Sequence, residues 1–176
     1  MRTAARAAAT VALTVPFVLA PGSAHAAGAT RVDAAGPLTR YDAAIPAGAT
    51  ARVHAVLTPS GRTVVTLVVD GFPADTEYGS HMHQKPCGAT GADAGGHYQN
   101  VPGSDPALGN PDNEVWLDFT TDAGGHGEAS ASVAWHPVRD TAHPFGANSV
   151  IVHRDETAPG GGAGPRLACL TVPFAP

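Results

Sequence analysis

Residues 51–70 read ARVHAVLTPSGRTVVTLVVD, and this stretch decides the fold class. Apolar and polar side chains alternate over residues 51–58, which is the two-residue period of a strand with one buried face. Residues 63–70 are dense in valine, which is enriched in strands, and the turn sequence PSGR separates them from the first segment. This stretch therefore predicts two short strands joined by a turn.

The same kinds of pattern recur along the chain, separated by glycine and proline, and no helical period lasts beyond a turn or two. Segments 114–121 and 128–135 flank the turn sequence DAGG, which predicts a hairpin. Seven or eight short strands with frequent turns indicate an all-β fold, an antiparallel barrel or sandwich with long loops. The predicted strands are residues 51–58, 63–70, 78–84, 114–121, 128–135, 148–153 and 166–172, with a weaker one at 38–44.

The N-terminus has the order of a secretory signal peptide. Arg2 and Arg6 precede an apolar run, and small residues around Ala26 provide a cleavage site. The run is too short to span a bilayer, so we expect cleavage after Ala26, export and no membrane insertion. The expected divisions are a signal peptide at 1–26, an N-terminal extension at 27–49 that can hold a first edge strand, and a β-barrel domain at 50–176. Residues 27–37 are expected to be a flexible tail.

The net charge disfavours two classes of partner. Removing Arg2 and Arg6 from the 10 basic residues leaves 8 against 15 acidic residues, a net charge of −7 for the mature chain. That charge disfavours nucleic acids and anionic membranes as partners. The pattern leaves the oligomeric state open, with a monomer as the expectation.

Two cysteines, Cys87 and Cys169, remain in the expected exported chain. An even number of cysteines outside the cytosol indicates one disulfide, and two free thiols are the alternative. Nine histidines are the other chemical signal. His81 and His83 lie two residues apart on a predicted strand and so share one face, as two ligands of a metal site would.

Two further histidines extend this pattern. His97 follows two glycines, and His153 ends an apolar strand. Four segments contain these histidines and a later arginine and cysteine: GSHMH (79–83), GGHY (95–98), VIVH (150–153) and GGAGPRLAC (161–169). They occur in the order and form found in copper/zinc superoxide dismutases, and the chain resembles this family over about residues 51–172.

The resemblance implies a Greek-key β-barrel and a set of site residues. Copper would be bound by His81, His83, His97 and His153, and imidazole is a suitable ligand for copper. Arg166 would be the catalytic residue that attracts and orients an anion, superoxide, and its guanidinium is always charged. The resemblance also implies that Cys87 pairs with Cys169.

The chain departs from the family where zinc is bound. No histidine lies between His97 and His126, and the family's spacing falls on Asp105, Glu114 and Leu117, with Asp118 next. One histidine with scattered carboxylates would be a weak zinc site. Zinc is therefore not expected as a cofactor, and the chain resembles the copper-only branch of the family, of the secreted bacterial type. Retention of zinc by Asp105, Glu114 or Asp118 is the other interpretation.

A ligating imidazole usually donates its second N–H to a carboxylate or a carbonyl. Glu114 is the first candidate for this role toward His97 and Asp118 is the second, with ordinary exposed carboxylates as the alternative. Of the remaining histidines, His54 is interpreted as a solvated side chain, and His126, His136 and His143 as residues in or beside turns, with a second metal site as the alternative. Trp116 and Trp135 are interpreted as packing residues.

The leading hypothesis is a secreted copper superoxide dismutase, an enzyme that converts superoxide into oxygen and hydrogen peroxide. The alternative is an extracellular copper-binding or copper-delivery protein without turnover. Arg166 discriminates between the two hypotheses, because a copper carrier has no need of an anion guide.

Overall fold

The computed structural model describes residues 28–174, so the predicted signal peptide at residues 1–26 lies outside the described part. Two short 3-10 helices, Gly91–Ala94 and Pro106–Leu108, lie in the long loop before residue 113. Over residues 28–174, no helix has the length and apolar character that a membrane crossing needs. The strands are β1 (Thr30–Pro37), β2 (Thr39–Arg40), β3 (Thr50–Leu57), β4 (Thr63–Asp70), β5 (Glu77–Tyr78), β6 (Ser80–His83), β7 (Phe119–Thr120), β8 (Gly127–Val133), β9 (Ser149–His153) and β10 (Arg166–Thr171).

The strands form two four-stranded antiparallel sheets and one small pair. The first sheet has the order β1-β3-β4-β8, the second has the order β2-β10-β9-β6, and β5 pairs with β7. Apolar side chains from both large sheets meet in one core. The predicted fold class, an all-β antiparallel sandwich with long loops, is confirmed.

The first sheet shows why residues 51–70 decide the fold. Val53 and Ala55 of β3, like Val65 and Leu67 of β4, are buried, while the residues between them are more exposed. One face of each strand thus enters the core, as the alternation predicts. The boundaries of both predicted strands agree with the structure to within one residue.

The expected flexible tail at residues 27–37 is wrong for Thr30–Pro37. These residues form β1, which pairs with β3 along its whole length and lies at the edge of the sheet. Val32 and Ala34 are only half-buried, so the strand contributes little apolar surface and its sequence has no strong pattern. The weak strand predicted at residues 38–44 is reduced to β2, which pairs with β10.

The predicted hairpin between residues 114–121 and 128–135 is also wrong. The turn exists, since the Asp122 N–H donates to the His126 carbonyl over 2.8 Å. Beyond it, however, β8 pairs with β4 and β7 pairs with β5. Phe119 packs against Tyr78 and Phe72, with ring centroids 5.3 and 5.8 Å away, and this aromatic cluster holds β7 beside β5.

The second sheet is covered on both faces, since every residue of β6 and β9 is buried. Met82, Val150 and Val152 point into the core. The alternate residues therefore point to the opposite face, where the loops cover them. That covered outer face carries three of the four histidines singled out by the sequence.

A candidate metal centre

Four histidines meet on this outer face. His81 and His83 lie on β6, His153 ends β9, and a single backbone bridge to His83 holds His97 in place. One ring nitrogen from each residue lies within 4.8 Å of the others. The rings of His81, His83 and His153 are buried, and the His97 side chain is 18% exposed.

Two of the rings are oriented by backbone carbonyls. The Nδ1 atom of His83 lies 3.2 Å from the Gly95 oxygen, and that of His153 lies 3.2 Å from the Gly164 oxygen. A carbonyl only accepts hydrogen bonds, so each Nδ1 carries the proton and each Nε2 keeps its lone pair. These two Nε2 atoms lie 3.3 Å apart, at the centre of the cluster.

The contact expected between Glu114 and His97 is present. His97 Nδ1 lies 2.8 Å from Glu114 Oε2, and the side chain of Glu114 is only 3% exposed. Burial raises the pKa of Glu114, but the hydrogen bonds from His97, Gln99 and Trp116 outweigh it and hold the pKa below its usual range. The carboxylate is therefore ionised, and His97 Nδ1 donates to it, which leaves His97 Nε2 free to bind a metal.

The ring of His81 is oriented by a residue that the sequence analysis missed. His81 Nε2 lies 2.7 Å from Thr157 Oγ1, and that hydroxyl donates to Asp118 Oδ1 over 2.7 Å. Because the hydroxyl proton is used on Asp118, Thr157 accepts the Nε2 proton of His81. His81 Nδ1 is buried and has no hydrogen-bond partner, so its lone pair is the one that remains free.

Asp118 therefore does not have the predicted role toward His97. It accepts hydrogen bonds from the backbone N–H groups of Ser80 and Thr157 and from the Thr157 hydroxyl, and acts on His81 through that hydroxyl. The only sequence signal for Thr157 is its position four residues after His153. Asp105 is exposed and caps the short helix Pro106–Leu108, with no contact to the cluster.

The buried imidazoles have lowered pKa values. Burial, reinforced by the charges that the neighbouring rings would carry, holds the pKa of His81 and His83 well below the usual range. Burial also lowers the pKa of His153 to about 4. These three rings are therefore uncharged near neutral pH, as metal ligands must be. His81 Nδ1 is buried without a hydrogen-bond partner among converging imidazoles. Such a donor set fits a transition metal such as copper or zinc.

Arg166 begins β10 and is paired with His153 across the sheet. Its side chain is half-buried and donates from Nη1 to the Gly91 carbonyl. Its positive charge contributes to the lowered pKa of His81 and His153, which places the guanidinium within electrostatic reach of the cluster. A cation held by a backbone carbonyl thus lies on the strand next to His153.

The predicted disulfide between Cys87 and Cys169 is confirmed, with Cα atoms 5.8 Å apart. Cys169 is buried on β10, three residues after Arg166, and Cys87 lies in the loop that leads to Gly91. The bridge therefore ties the loop that accepts the arginine hydrogen bond to the strand that carries the arginine.

A glycine covers the Glu114 side of the cluster. Gly161 has φ +81°, and a Cβ atom there would lie 3.2 Å from Glu114 Oε2 and 3.5 Å from His97 Nδ1. The positive φ favours glycine, and a Cβ atom at this position would crowd the Glu114 carboxylate. The short segment after His153 therefore packs directly on the His97–Glu114 pair.

The other histidines within residues 28–174 lie away from the cluster. His54 and His126 are exposed and paired with Asp33 and Asp70, and the hydrogen bond to Asp70 raises the pKa of His126. His136 is half-buried. The side chain of His143 is 11% exposed, lies 2.8 Å from Asp140 and stacks on the ring of Tyr98 at 5.1 Å.

Comparison with known proteins supports the fold. No family model matches the sequence, and no curated protein sequence matches it. Among solved structures, the chain is similar to the clock protein EA4, with a TM-score of 0.54, 16% identity and coverage of 83% of this chain and 93% of that one. At this identity the likeness concerns the fold alone.

Proposed function

We propose that this chain is an exported copper protein that disproportionates superoxide. The observation that carries the proposal is the convergence of four imidazoles beside the half-buried guanidinium of Arg166. His81 would bind the metal through Nδ1, and His83, His97 and His153 through Nε2. Each of these nitrogens is free because the other nitrogen of its ring is held by a partner on the protein.

The contacts of His97 with Glu114 favour a centre with copper alone over a centre that holds both copper and zinc. His97 Nδ1, which a second metal would need, already donates to Glu114, and the backbone at Gly161 lies close to the same pair. Bound copper would supply one-electron chemistry, so that one superoxide is oxidised to oxygen and a second, with two protons, is reduced to hydrogen peroxide. These contacts support the proposal of one metal ion at the cluster.

The substrate class follows from charge. The mature chain is expected to carry a net charge of −7, which repels a small anion at long range. The fixed charge of Arg166 offers local attraction beside the metal ligands, and the hydrogen bond to Gly91 holds the side chain in place. An anion such as superoxide suits the charge of this arrangement better than a cationic substrate does.

Copper binding without turnover is the second candidate function. It is favoured by the hydrogen bond from Arg166 to Gly91, which gives this arginine a structural use that is independent of any anion. Both functions require the same four histidines. They differ in whether superoxide is consumed faster by the loaded protein than by the same amount of chelated copper.

The experiment pairs metal analysis with a superoxide assay. Protein exposed to equal copper and zinc should retain about one copper and little zinc, and a His153→Ala variant should lose copper and activity together. Stoichiometric zinc that survives a chelator would contradict the copper-only centre. The export part of the proposal is supported by the disulfide, which is typical of oxidising compartments, and the mass of protein recovered from the medium would test cleavage after Ala26.

A further inference from the structure

The carboxylate of Glu114 accepts hydrogen bonds from three side chains. Oε2 accepts from His97 Nδ1 at 2.8 Å and from Trp116 Nε1 at 2.9 Å, and Oε1 accepts from Gln99 Nε2 at 2.9 Å. The indole N–H and the imidazole N–H therefore share one oxygen atom. The orientation of the Glu114 carboxylate therefore depends on both donors.

The backbone explains why the indole reaches the carboxylate. Glu114 and Trp116 are two residues apart in an extended segment, so their side chains lie on the same side of the chain. The segment is held by single bridges between Trp116 and His81 and between Glu114 and Gln99. The indole also meets the ring of His81 edge-on, at a centroid distance of 6.0 Å.

We propose that Trp116 is a positioning residue for the metal centre, which fixes the carboxylate of Glu114 and thereby the ring of His97. The terminal torsion of a glutamate side chain has broad preferences, so Glu114 needs donors to define its direction. If the indole N–H is lost, Oε2 keeps only the His97 donor, and Gln99 is the one remaining side chain that holds the carboxylate from Oε1. His97 then loses part of the restraint that directs Nε2 toward the other three nitrogens.

This inference rests on the proposed metal binding and not on superoxide turnover. A purely packing role is the competing explanation, because half-buried Trp116 also borders an apolar cleft formed with Pro106, Pro111 and Pro159. The chain contains a matched control in its other tryptophan, Trp135. That indole donates from Nε1 to the Asp112 carbonyl over 2.8 Å and makes no hydrogen bond to Glu114.

The first measurement uses the metal-free protein. The Nδ1 proton of His97, hydrogen-bonded to a buried carboxylate, should give a resolved proton–nitrogen resonance that exchanges slowly with water. Trp116→Phe should raise its exchange rate about tenfold or more or broaden it beyond detection, whereas Trp135→Phe should leave it unchanged. Equal exchange rates in the two variants would overturn the proposal.

The second measurement is copper affinity by competition with a chelator, together with the electron paramagnetic resonance spectrum of the Cu(II) protein. Loss of a direct outer partner of a ligand typically costs 10- to 100-fold in affinity, so loss of a partner one step further out should cost about 3- to 10-fold. The spectrum of Trp116→Phe should shift toward that of Glu114→Gln. In a Glu114→Gln background, adding Trp116→Phe should change neither quantity further, because the two residues act as one unit.

If the double variant loses as much further copper affinity as Trp116→Phe loses alone, Trp116 does not act through Glu114. That result would overturn the proposal. If Trp116→Phe folds poorly, replacement by benzothienylalanine keeps the ring shape and removes only the N–H. Native copper affinity and spectrum in that protein would likewise contradict the proposal. None of these readouts uses superoxide, so a failed dismutase assay leaves the test intact.

Discussion

Glu114 Oε2 and His97 Nδ1 lie 2.8 Å apart, at the point where the long loop returns to the sheet. His83, His153 and His81 are held by carbonyl or hydroxyl groups, and His97 alone among the four is held by an ionised carboxylate. His97 is also the only one of the four outside β6 and β9. The loop ligand therefore depends on Glu114 more than the strand ligands depend on their partners.

Glu114→Gln should weaken copper binding about 10- to 100-fold, because a neutral amide is a weaker partner for the imidazole N–H. Competition with a chelator of known affinity measures the effect. Glu128→Gln, on the exposed face of β8, removes the same charge and should leave affinity unchanged. Equal affinities in the two variants would contradict this account of His97.

Thr157→Val should also weaken copper binding by about 10-fold or more, because valine keeps the shape of threonine but cannot accept the proton of His81 Nε2. Without that acceptor His81 can place its proton on Nδ1, the nitrogen that the metal needs. Thr120→Val, at an exposed position of β7, is the matched control. Unchanged copper affinity in Thr157→Val would show that the Thr157 hydroxyl has no role in the metal centre.

Metal-free protein should lose stability as the pH falls from about 6.5 to about 4. In this range His153 stays neutral in the folded chain, with its pKa lowered to about 4 by burial, while the unfolded chain binds a proton. The unfolded state therefore binds more protons, and acid favours unfolding. His153 alone contributes a loss of about 3 kcal/mol over this range, and the lowered pKa values of His81 and His83 add to it.

Urea unfolding of metal-free protein at several pH values measures this loss. The His153→Gln variant should show a shallower decline, because it lacks one of the groups responsible. A free energy of unfolding that is flat between pH 6.5 and pH 4 would contradict the burial of neutral imidazoles.

Replacing both Cys87 and Cys169 by alanine should lower the free energy of unfolding by about 2–5 kcal/mol. The bridge spans a sequence separation of 82 residues, so its removal frees a long loop in the unfolded chain. A reducing agent should destabilise the unsubstituted protein and leave the double variant unaffected. Equal stability of the two proteins under oxidising conditions would contradict this prediction.

The strands with strong patterns could be predicted from the sequence, and the others could not. Thr63–Asp70 has alternate buried residues and matches its prediction over the full length. Thr30–Pro37 is held mainly by backbone hydrogen bonds to β3, which leave no pattern in the side chains. The pairing of β8 with β4 depends on contacts far apart in sequence, including the aromatic cluster around Phe119.

The residues of the candidate site also divide into those that could be predicted from the sequence and those that could not. The four histidines, Arg166 and the two cysteines stand in recognisable motifs, and the spacing from His97 points to Glu114. Thr157, Gln99 and Trp116 act through single side-chain contacts that depend on the loops, and no spacing rule points to them. The position of Asp118 in the sequence predicts a role toward His97, but Asp118 acts on His81, because Thr157 lies between it and the cluster.

The central claim, superoxide turnover at this centre, is tested most directly by stopped-flow decay of superoxide per bound copper. The protein is predicted to exceed chelated copper by a wide margin. Arg166→Ala should be about tenfold or more slower at low salt with unchanged copper affinity, because it loses the local attraction for the anion. Arg31→Ala, which removes the same charge from the exposed edge strand β1, should match the unsubstituted protein. Copper-loaded protein no faster than chelated copper would contradict the claim and leave copper binding without turnover.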